Sequence, residues 1–335
     1  MRILVVKLSS LGDVVQTLPV LHDIGRSLPG SKLDWVVEEA FTDLVRQAPT
    51  VGRVLPYAQR RWRKDPWASA TRIERDAFHK ALRAEQYDAV IDFQGLIKSA
   101  RVARGARLAR GGFSATFGNR SELCAYEWPV RYLLQRAVPM PARIHAVARY
   151  RLLAARALRY ETAGLLEGAP VYPWAADPAA GPPEVLFAHG TTRADNEWAE
   201  ANWAALGREF IASGFRVLLP QASAHEEEWA LRMAQALGTA ARVLPRMGLP
   251  DLLNLIGRCS SMVGVDSGVS HMGVALGLPL VQIFSQPRAW RAGPVGQPHQ
   301  CAVGGEGPPS VQEVWRAWQA CWGARPTALA HLNAA

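Results

Sequence analysis

The chain has 335 residues, which is long for one hydrophobic core and suits two domains. Its composition, 49% hydrophobic and 20% charged, is that of a globular protein whose buried surface can offset chain entropy. The net charge of +9 comes from 38 Lys plus Arg against 29 Asp plus Glu. This excess favours anionic partners, which include phosphorylated substrates, nucleic acid and an acidic membrane surface.

Cysteine spacing and hydropathy exclude several classes of protein. The four cysteines are widely scattered and form no CxxC pair, so the sequence predicts neither a zinc site nor a disulfide framework. The apolar run from Ile3 to Val6 is too short for a signal peptide, and no window approaches the roughly 20 apolar residues that span a bilayer. We therefore expect a cytoplasmic protein whose contact with a membrane is peripheral.

The first half of the chain alternates strands and helices. Arg2–Leu8 is a short apolar run that predicts a buried strand, and Ser9 to Gly12 predict a tight loop. Asp13 then opens a helical pattern that Pro19 should shorten or kink. Further elements are expected at Leu33–Glu38 (strand), Thr71–Gln86 (helix) and Asp88–Phe93 (strand). Such alternation predicts a parallel α/β sheet.

A proline-rich linker separates this half from a second one. Residues 170–184 contain Pro170, Pro173, Pro178, Pro182 and Pro183, after which the alternation restarts. The predicted strands are Val185–Ala188, Phe215–Leu219, Arg242–Leu244, Ser261–Val265 and Pro279–Phe284.

We therefore predict two Rossmann-like domains, 1–169 and 185–309, facing across a cleft that holds the site. Segment 310–335 should be helical and pack back on the first domain.

The first motif is Lys7-Leu8-Ser9-Ser10-Leu11-Gly12-Asp13, which places a loop between a strand and a helix. It is neither a Walker A sequence nor GxGxxG. Asp13 is interpreted either as a helix cap or as a carboxylate that accepts a proton from a sugar hydroxyl. Spacing alone favours the cap.

The second motif is Val265-Asp266-Ser267-Gly268-Val269-Ser270-His271, at the junction of a strand and an apolar helix. A helix N-terminus offers free N–H groups, and Gly268 allows a phosphate to approach closely. Ser267 and His271 are four residues apart and share a helix face. This motif predicts a diphosphate site.

Two further motifs follow predicted strands of the second half. His189-Gly190-Thr191-Thr192-Arg193 offers hydroxyls and amides to a phosphate, or forms an ordinary turn. His225-Glu226-Glu227-Glu228 is not HExxH, which excludes a zinc protease; one of its carboxylates suits a ribose hydroxyl pair.

A fifth motif, Arg60-Arg61-Trp62-Arg63-Lys64, is predicted to lie in a loop. Its four cations suit a multiply phosphorylated ligand, nucleic acid or a plain solvated surface. Because no recognised nucleic-acid module is present, we do not expect a nucleic-acid partner.

Together and in this order, the motifs resemble the ADP-heptose:lipopolysaccharide heptosyltransferase family over nearly the whole chain. The matching stretches are VKLSSLGDVVQTLP, DWVVEEAF, RRWRK, YDAVIDFQGLIKSA, HGTTR, HEEE, LPRMGL and VDSGVSHMGVALGLP. RRWRK with DFQGLIKSA favours type I of the family over type II, which remains an alternative.

The resemblance implies a GT-B fold and transfer of heptose from ADP-L-glycero-D-manno-heptose to the Kdo region of Kdo2-lipid A. Transfer would invert the anomeric centre, need no metal or other cofactor, and occur at the cytoplasmic face of the inner membrane.

The resemblance also implies a role for each motif residue. Asp13 would be the general base, and Glu226, Met247 and Asp266 would bind the ribose, adenine and heptose of the donor. The diphosphate would be held by Thr191, Thr192, Ser267, Gly268 and His271. The anionic acceptor would be bound by Lys7, Ser10, Arg61, Arg63, Lys64, Gln94 and Lys98.

The sequence departs from the family pattern at two places. Asn196 stands at a donor-site position where the family usually has Lys, a loss that should weaken transition-state stabilisation by about 10²–10³-fold if nothing replaces the cation. The usual Arg-Glu-Pro of the acceptor region is here Arg120-Ser121-Glu122-Leu123. A weakened or inactive paralogue that still binds nucleotide and anionic glycolipid is therefore a further alternative.

Overall fold

A computed structural model describes residues 1–327 of the chain. The chain divides into two compact units, the first domain (Met1–Pro173) and the second domain (Trp174–Ala335). The division falls inside the predicted linker, segment 170–184.

The first domain contains one parallel sheet of six strands in the order β3-β2-β1-β4-β5-β6. Its strands are β1 (Arg2–Val6), β2 (Lys32–Glu38), β3 (Val51–Tyr57), β4 (Gln86–Asp92), β5 (Arg107–Phe117) and β6 (Arg136–Val138). Its helices are α1 (Leu11–Thr17), α2 (Pro19–Ser27), α3 (Thr42–Val45), α4 (Gln59–Trp62), α5 (Ser69–Arg83), α6 (Ile97–Gly105), α7 (Val130–Leu133) and α8 (Ala146–Leu158).

The second domain repeats this plan, with strand order β12-β11-β10-β7-β8-β9, all parallel. Its strands are β7 (Glu184–Ala188), β8 (Arg216–Leu219), β9 (Ala241–Val243), β10 (Ser261–Val265), β11 (Leu280–Phe284) and β12 (Gln300–Gly304). Its helices are α9 (Glu200–Ala212), α10 (Ala224–Leu237), α11 (Leu249–Arg258), α12 (Gly268–Leu276), α13 (Ala289–Ala292) and α14 (Val311–Gly323). The prediction of two Rossmann-like α/β domains is confirmed.

Central strands are buried on both faces, as their unbroken apolar runs predict. Ile3 to Val6 of β1 are fully buried, and every residue of β10 is buried. Each central strand ends in a turn that leads into a helix. The side chains after β1, β4, β7 and β10 therefore collect at the carboxyl edge of their own sheet, where ligands of such folds bind.

Helix α14 is part of the second domain's core. Trp318 packs edge-on against Phe210, with ring centroids 4.5 Å apart, and its Nε1 donates to Ser261 Oγ at 2.7 Å. Trp322 contacts Phe215 in the same way at 5.2 Å. Packing of segment 310–335 on the first domain stays a prediction, and its residues 328–335 lie outside the described residues.

Some details of the predicted elements agree with the structure and others differ. Pro19 separates two helices, α1 and α2, as its missing N–H predicts. The sequence patterns do not indicate strands β3, β5, β6 and β12. The prediction of a loop for RRWRK is wrong for Arg60 to Trp62, which belong to the short helix α4, because Trp62 packs into the core on an aromatic cluster with Tyr57 and Phe78. Within residues 1–327, no helix has the length and apolar content required to cross a membrane.

Candidate active site

Asp13 is fixed near the start of α1, at the carboxyl edge of the first sheet. Its Oδ2 accepts hydrogen bonds from the backbone N–H of Ser10 at 3.2 Å and from the Ser10 hydroxyl at 3.1 Å. Asp13 is therefore the third residue of the helix and closes a capping box with Ser10, which is the N-cap. Its side chain keeps 26% exposure, so an incoming hydroxyl can reach the carboxylate.

The second carboxylate oxygen of Asp13 is bound from a distant helix. The Tyr150 hydroxyl of α8 donates to Asp13 Oδ1 at 2.8 Å, and Lys7 Nζ lies 3.8 Å from the same oxygen. A carboxylate that receives hydrogen bonds on both oxygens is held in one orientation. The arrangement suits a general base with a fixed direction of attack.

Lys7 and Gln94 support the loop that leads to Asp13. Lys7 is 2% exposed, and its ammonium group donates to the Phe93 carbonyl at 3.2 Å and to the Tyr150 hydroxyl at 2.9 Å. Gln94 Oε1 accepts from the backbone N–H groups of Leu8 and Ser9, at 3.2 and 3.1 Å. Both side chains therefore shape the loop that carries Ser10 and Asp13, while their predicted contact with an acceptor stays a prediction.

The predicted acceptor cations are not equivalent. Arg61 is paired with two carboxylates, at 2.9 Å from Glu39 and 2.6 Å from Glu74. Arg63 and Lys98 line a pocket in the first domain. Arg61 is therefore already neutralised by its neighbours, whereas Arg63 and Lys98 face open volume.

Asp266 is the centre of a second group of side chains, after β10 in the second domain. His271 Nε2 lies 3.7 Å from Asp266 Oδ1, and Asn196 Nδ2 donates to Oδ2 at 3.4 Å and to the Asp266 carbonyl at 3.3 Å. The Thr191 hydroxyl donates to the same carbonyl at 3.4 Å. Four predicted donor-site residues are thus brought together.

Positive charge surrounds Asp266. Burial is the largest single influence and raises the pKa of this carboxyl, but the hydrogen bond and charge of His271 and the nearby Arg291 and Arg288 together outweigh it. The pKa of Asp266 therefore lies below its ordinary value. Arg288 Nη2 also lies 3.3 Å from Asp195 Oδ2. Asn196, only 3% exposed, therefore sits in a region that already holds two arginines.

The start of α12 has a geometry that suits an anion. Ser267 is its N-cap and accepts from the Ser270 N–H at 3.3 Å, and Gly268 is the first helical residue. The first amides of a helix have no acceptor within the helix, and the helix dipole adds positive potential there. A diphosphate beside Ser267 and Gly268 would meet both effects.

The loop after β7 meets the first turn of α10 at Gly190. A Cβ on Gly190 would lie 2.6 Å from Glu226 Oε1, so a larger residue here would displace the Glu226 carboxylate. Glu226 Oε2 accepts from the Ala222 N–H at 2.7 Å, which fixes the carboxylate at the beginning of α10. The predicted ribose-binding Glu226 is thereby placed against the HGTTR loop.

His189 precedes Gly190 and stacks on Trp229, with ring centroids 3.6 Å apart and an interplanar angle of 11°. Burial lowers the pKa of His189 to about 4, so the ring is neutral at pH 7.

Two further residues of the predicted donor site are not part of these contacts. Thr192 is exposed, and Met247 lies half-buried in the loop after β9.

The sequence patterns do not indicate three residues that take part in the site: Tyr150, Arg288 and Arg291. Tyr150 is 137 residues from Asp13, and no local pattern links the two positions. Arg288 and Arg291 lie in and next to α13, a four-residue helix without a recognisable motif. Within residues 1–327 there is no group of three or more His, Cys, Asp or Glu side chains suited to hold a metal ion.

Comparison with known proteins gives a consistent result. Residues 75–314 match the family model described as glycosyltransferase family 9 (heptosyltransferase). Lipopolysaccharide heptosyltransferase 1 of Pseudomonas aeruginosa is 38% identical over 301 residues, which cover 89% of this chain and 82% of the relative.

Two solved structures of the E. coli heptosyltransferase WaaC are also similar. The structure with ADP has a TM-score of 0.82 at 34% identity and covers 96% of this chain and 100% of that one. The structure with ADP-2-deoxy-2-fluoro heptose has a TM-score of 0.74 at 37% identity and covers 84% and 88%.

These likenesses confirm the predicted GT-B fold class and the predicted enzyme class. The chain belongs to glycosyltransferase family 9, the heptosyltransferases, and is a glycosyltransferase.

Proposed function

We propose that this enzyme transfers L-glycero-D-manno-heptose from ADP-heptose to a Kdo residue of Kdo2-lipid A. The relative from Pseudomonas aeruginosa is named lipopolysaccharide heptosyltransferase 1, and WaaC has been solved with ADP and with an ADP-heptose analogue. The reaction is inverting and independent of metal in this proposal, and it takes place at the cytoplasmic face of the inner membrane, with peripheral contact.

In the proposed reaction, a Kdo hydroxyl oxygen attacks the anomeric carbon of the heptose. The new C–O bond forms as the bond to the β-phosphate oxygen breaks, so ADP leaves with the electron pair. Asp13 takes the hydroxyl proton, because the attacking oxygen would otherwise become positively charged as the new bond forms. One displacement by one nucleophile inverts the anomeric centre.

The second domain's contribution is electrostatic. The amides at the start of α12 and the side chains of Ser267 and His271 stabilise the negative charge that develops on the leaving diphosphate. Arg288 adds a full positive charge near Asp266. Asp266 meets the heptose hydroxyls, and Glu226 binds the ribose.

The observation that carries this proposal is the geometry of Asp13, a partly exposed carboxylate bound on both oxygens. The test is an assay of ADP release with ADP-heptose and Kdo2-lipid A, with the product identified by mass spectrometry and its anomeric configuration by NMR. Asp13→Asn keeps the shape and the bond from the Ser10 N–H but cannot take a proton, so we expect a loss of kcat of about 10²–10⁴-fold.

ADP affinity is the control, because Asp13 lies in the other domain from the predicted nucleotide site. Asp13→Asn should bind ADP as the wild type does. No product from the wild type with this donor and acceptor, in a preparation that binds ADP, would refute the proposal.

A second candidate is a weakened enzyme, which is favoured by the single observation that Asn196 replaces the Lys usual in the family. Asn196→Lys tests it: a gain in turnover of tenfold or more would support a weakened wild type. A smaller change would leave the fully active transferase as the better account.

A further inference from the structure

Two of the four cysteines meet in the second domain. Cys301 lies on β12 and Cys321 lies near the end of α14, and their Sγ atoms are 3.4 Å apart, in hydrogen-bond contact. Both thiols are free. Their spacing in the sequence does not indicate a pair, because it is the packing of α14 on the second sheet that brings the two residues together.

Regular structure holds both cysteines in place. Cys301 is in register with Val281 of β11, and Cys321 follows Trp318, whose Nε1 ties α14 to Ser261 Oγ at 2.7 Å. The rings of Trp318 and Trp322 stack beside Cys321, with centroids 5.6 Å apart. Two sulfurs that are already in contact need only a small further approach to reach the disulfide bonding distance of about 2.0 Å.

Cys301 is the accessible member of the pair. Strand β12 is at the edge of the second sheet, and Cys301 is half-buried, whereas Cys321 is buried. A small polar oxidant can therefore reach Cys301 first. Cys259 of the same domain differs, because it is buried, its Sγ donates to the Leu255 carbonyl at 3.4 Å, and burial raises the pKa of its thiol.

The contact also gives the two thiols different roles. The hydrogen bond from Cys321 lowers the pKa of Cys301 and outweighs the opposite effect of burial. The same hydrogen bond raises the pKa of Cys321. Because the thiolate is the nucleophilic form of cysteine, Cys301 is the thiol that attacks an oxidant, and Cys321 is the neighbour that reacts with the product.

We propose that Cys301 and Cys321 form a site of reversible oxidation, at which a peroxide converts the two thiols into a disulfide. In the first step the Cys301 thiolate attacks a peroxide oxygen and the O–O bond breaks. The hydroxide that leaves takes up the proton that Cys301 has released, and Cys301 becomes a sulfenic acid.

In the second step the Cys321 sulfur attacks the sulfur of this sulfenic acid. The S–S bond forms, the S–O bond breaks, and the leaving hydroxide takes the Cys321 proton to give water. Two thiols are thus oxidised to one disulfide while one hydrogen peroxide is reduced to two molecules of water. A reducing thiol reverses the reaction by thiol–disulfide exchange.

The disulfide would join α14 to β12 and act on stability. It closes the chain segment between residues 301 and 321, which restricts the unfolded state and raises the unfolding temperature. Cys301 is the second residue of β12, whereas Ser267 and Gly268 follow the carboxyl end of β10. We therefore expect oxidation to leave turnover nearly unchanged and to protect Cys301 from irreversible conversion to a sulfinic acid.

Peptide mapping without reduction tests the site in the full-length protein. After brief treatment with hydrogen peroxide, the wild type should give a linked peptide that contains Cys301 and Cys321 and that dithiothreitol separates. Its Tm should rise by about 5 °C or more, and dithiothreitol should reverse the rise. The wild-type mapping needs no substitution, so its result stands even if a variant is unstable.

Cys301→Ala removes the attacking thiol at a half-buried position, and Cys259→Ala is the matched control, a cysteine of the same domain outside the pair. Cys301→Ala should give no linked peptide and no rise in Tm, while Cys259→Ala should behave as the wild type does.

Three results would each overturn the proposal: a sulfinic or sulfonic acid at Cys301 without a linked peptide, a link to Cys124 or Cys259 in place of Cys321, or an equal rise in Tm for Cys301→Ala. These measurements do not use the transfer reaction, so they hold whether or not the proposed function does.

Discussion

The hydroxyl of Tyr150 donates to Asp13 Oδ1 at 2.8 Å and accepts from Lys7 Nζ at 2.9 Å. One phenol thus joins a helix near the beginning of the chain to the helix that closes the first domain. The aromatic ring is fixed in turn by an edge contact with Phe93 and a tilted contact with Phe117. Tyr150 is therefore a positioning residue for the proposed base.

Tyr150→Phe tests this role. The ring and its packing remain, but Asp13 loses one charge-assisted hydrogen bond, so we expect kcat to fall about 10–100-fold while the KM for the acceptor changes less than threefold. Steady-state kinetics measure the split between kcat and KM, and thermal unfolding is the control. A fall in Tm of more than a few degrees with unchanged kcat would indicate that the hydroxyl serves stability alone.

Arg288→Ala tests the cation beside Asp266. Removal of this charge should lower kcat by about 10-fold or more, because charge developing on the diphosphate is then less stabilised. Asn196→Lys alone should change kcat less than tenfold, since Arg288 and Arg291 already supply positive charge. The double variant should recover activity relative to Arg288→Ala.

The four proteins form a double-mutant cycle, whose interaction energy is read from kcat. Arg232→Ala is a matched control, because Arg232 also belongs to an ion pair of the second domain, with Glu200, and is 51% exposed. Additive effects of the two substitutions would show that position 196 and Arg288 do not share a role.

His189 should make the enzyme less stable in acid. Its folded pKa of about 4 lies below the ordinary value of 6.5, so the unfolded chain binds the proton first as pH falls. The contribution of neutral His189 to the free energy of unfolding is complete above pH 6.5 and is lost progressively as the pH falls to 4. About 2 kcal/mol of it is lost between pH 7 and pH 5. His189→Phe keeps a ring on Trp229 without a titrating nitrogen.

Urea unfolding at pH 7 and pH 5 measures the effect. The free energy of unfolding should fall more in wild type than in His189→Phe. Equal falls in the two proteins would show that His189 titrates as an ordinary histidine.

Metal removal should leave turnover unchanged. The proposed stabilisation of the leaving diphosphate comes from the amides of α12, from His271 and from Arg288, so it needs no cation from solution. Dialysis against EDTA followed by the ADP-release assay checks this, and we expect activity within twofold of the untreated enzyme. A loss that added Mg²⁺ restores would contradict the expectation.

Elements with strong local signals can be predicted from the sequence. Strand β10 is predicted with its observed bounds, because Ser261–Val265 is a short apolar run that ends at Asp266 and Ser267, a polar residue and a helix cap. Strand β5 escapes prediction because Arg107–Phe117 carries charges and two adjacent glycines in its exposed half. Strands β6 and β12 are short edge strands whose signals are weak.

The candidate site is only partly predictable for a related reason. Ser267, Gly268 and His271 belong to one strand–helix junction, so their spacing alone places them together. Contacts made over long sequence separations leave no such pattern. Tyr150 and Arg288 reach the site only through the strand order of their sheets, which local sequence does not encode.

The packing of α14 also bears on the order in which the chain acquires structure during synthesis. The first domain has all its strands and helices once residue 158 has been made. The core of the second domain, in contrast, lacks the ring contacts of Phe210 and Phe215 with α14 until Trp318 and Trp322 have been made. We therefore expect the second domain to complete its core only after the whole of α14 has been translated, later than the nucleotide-site motifs.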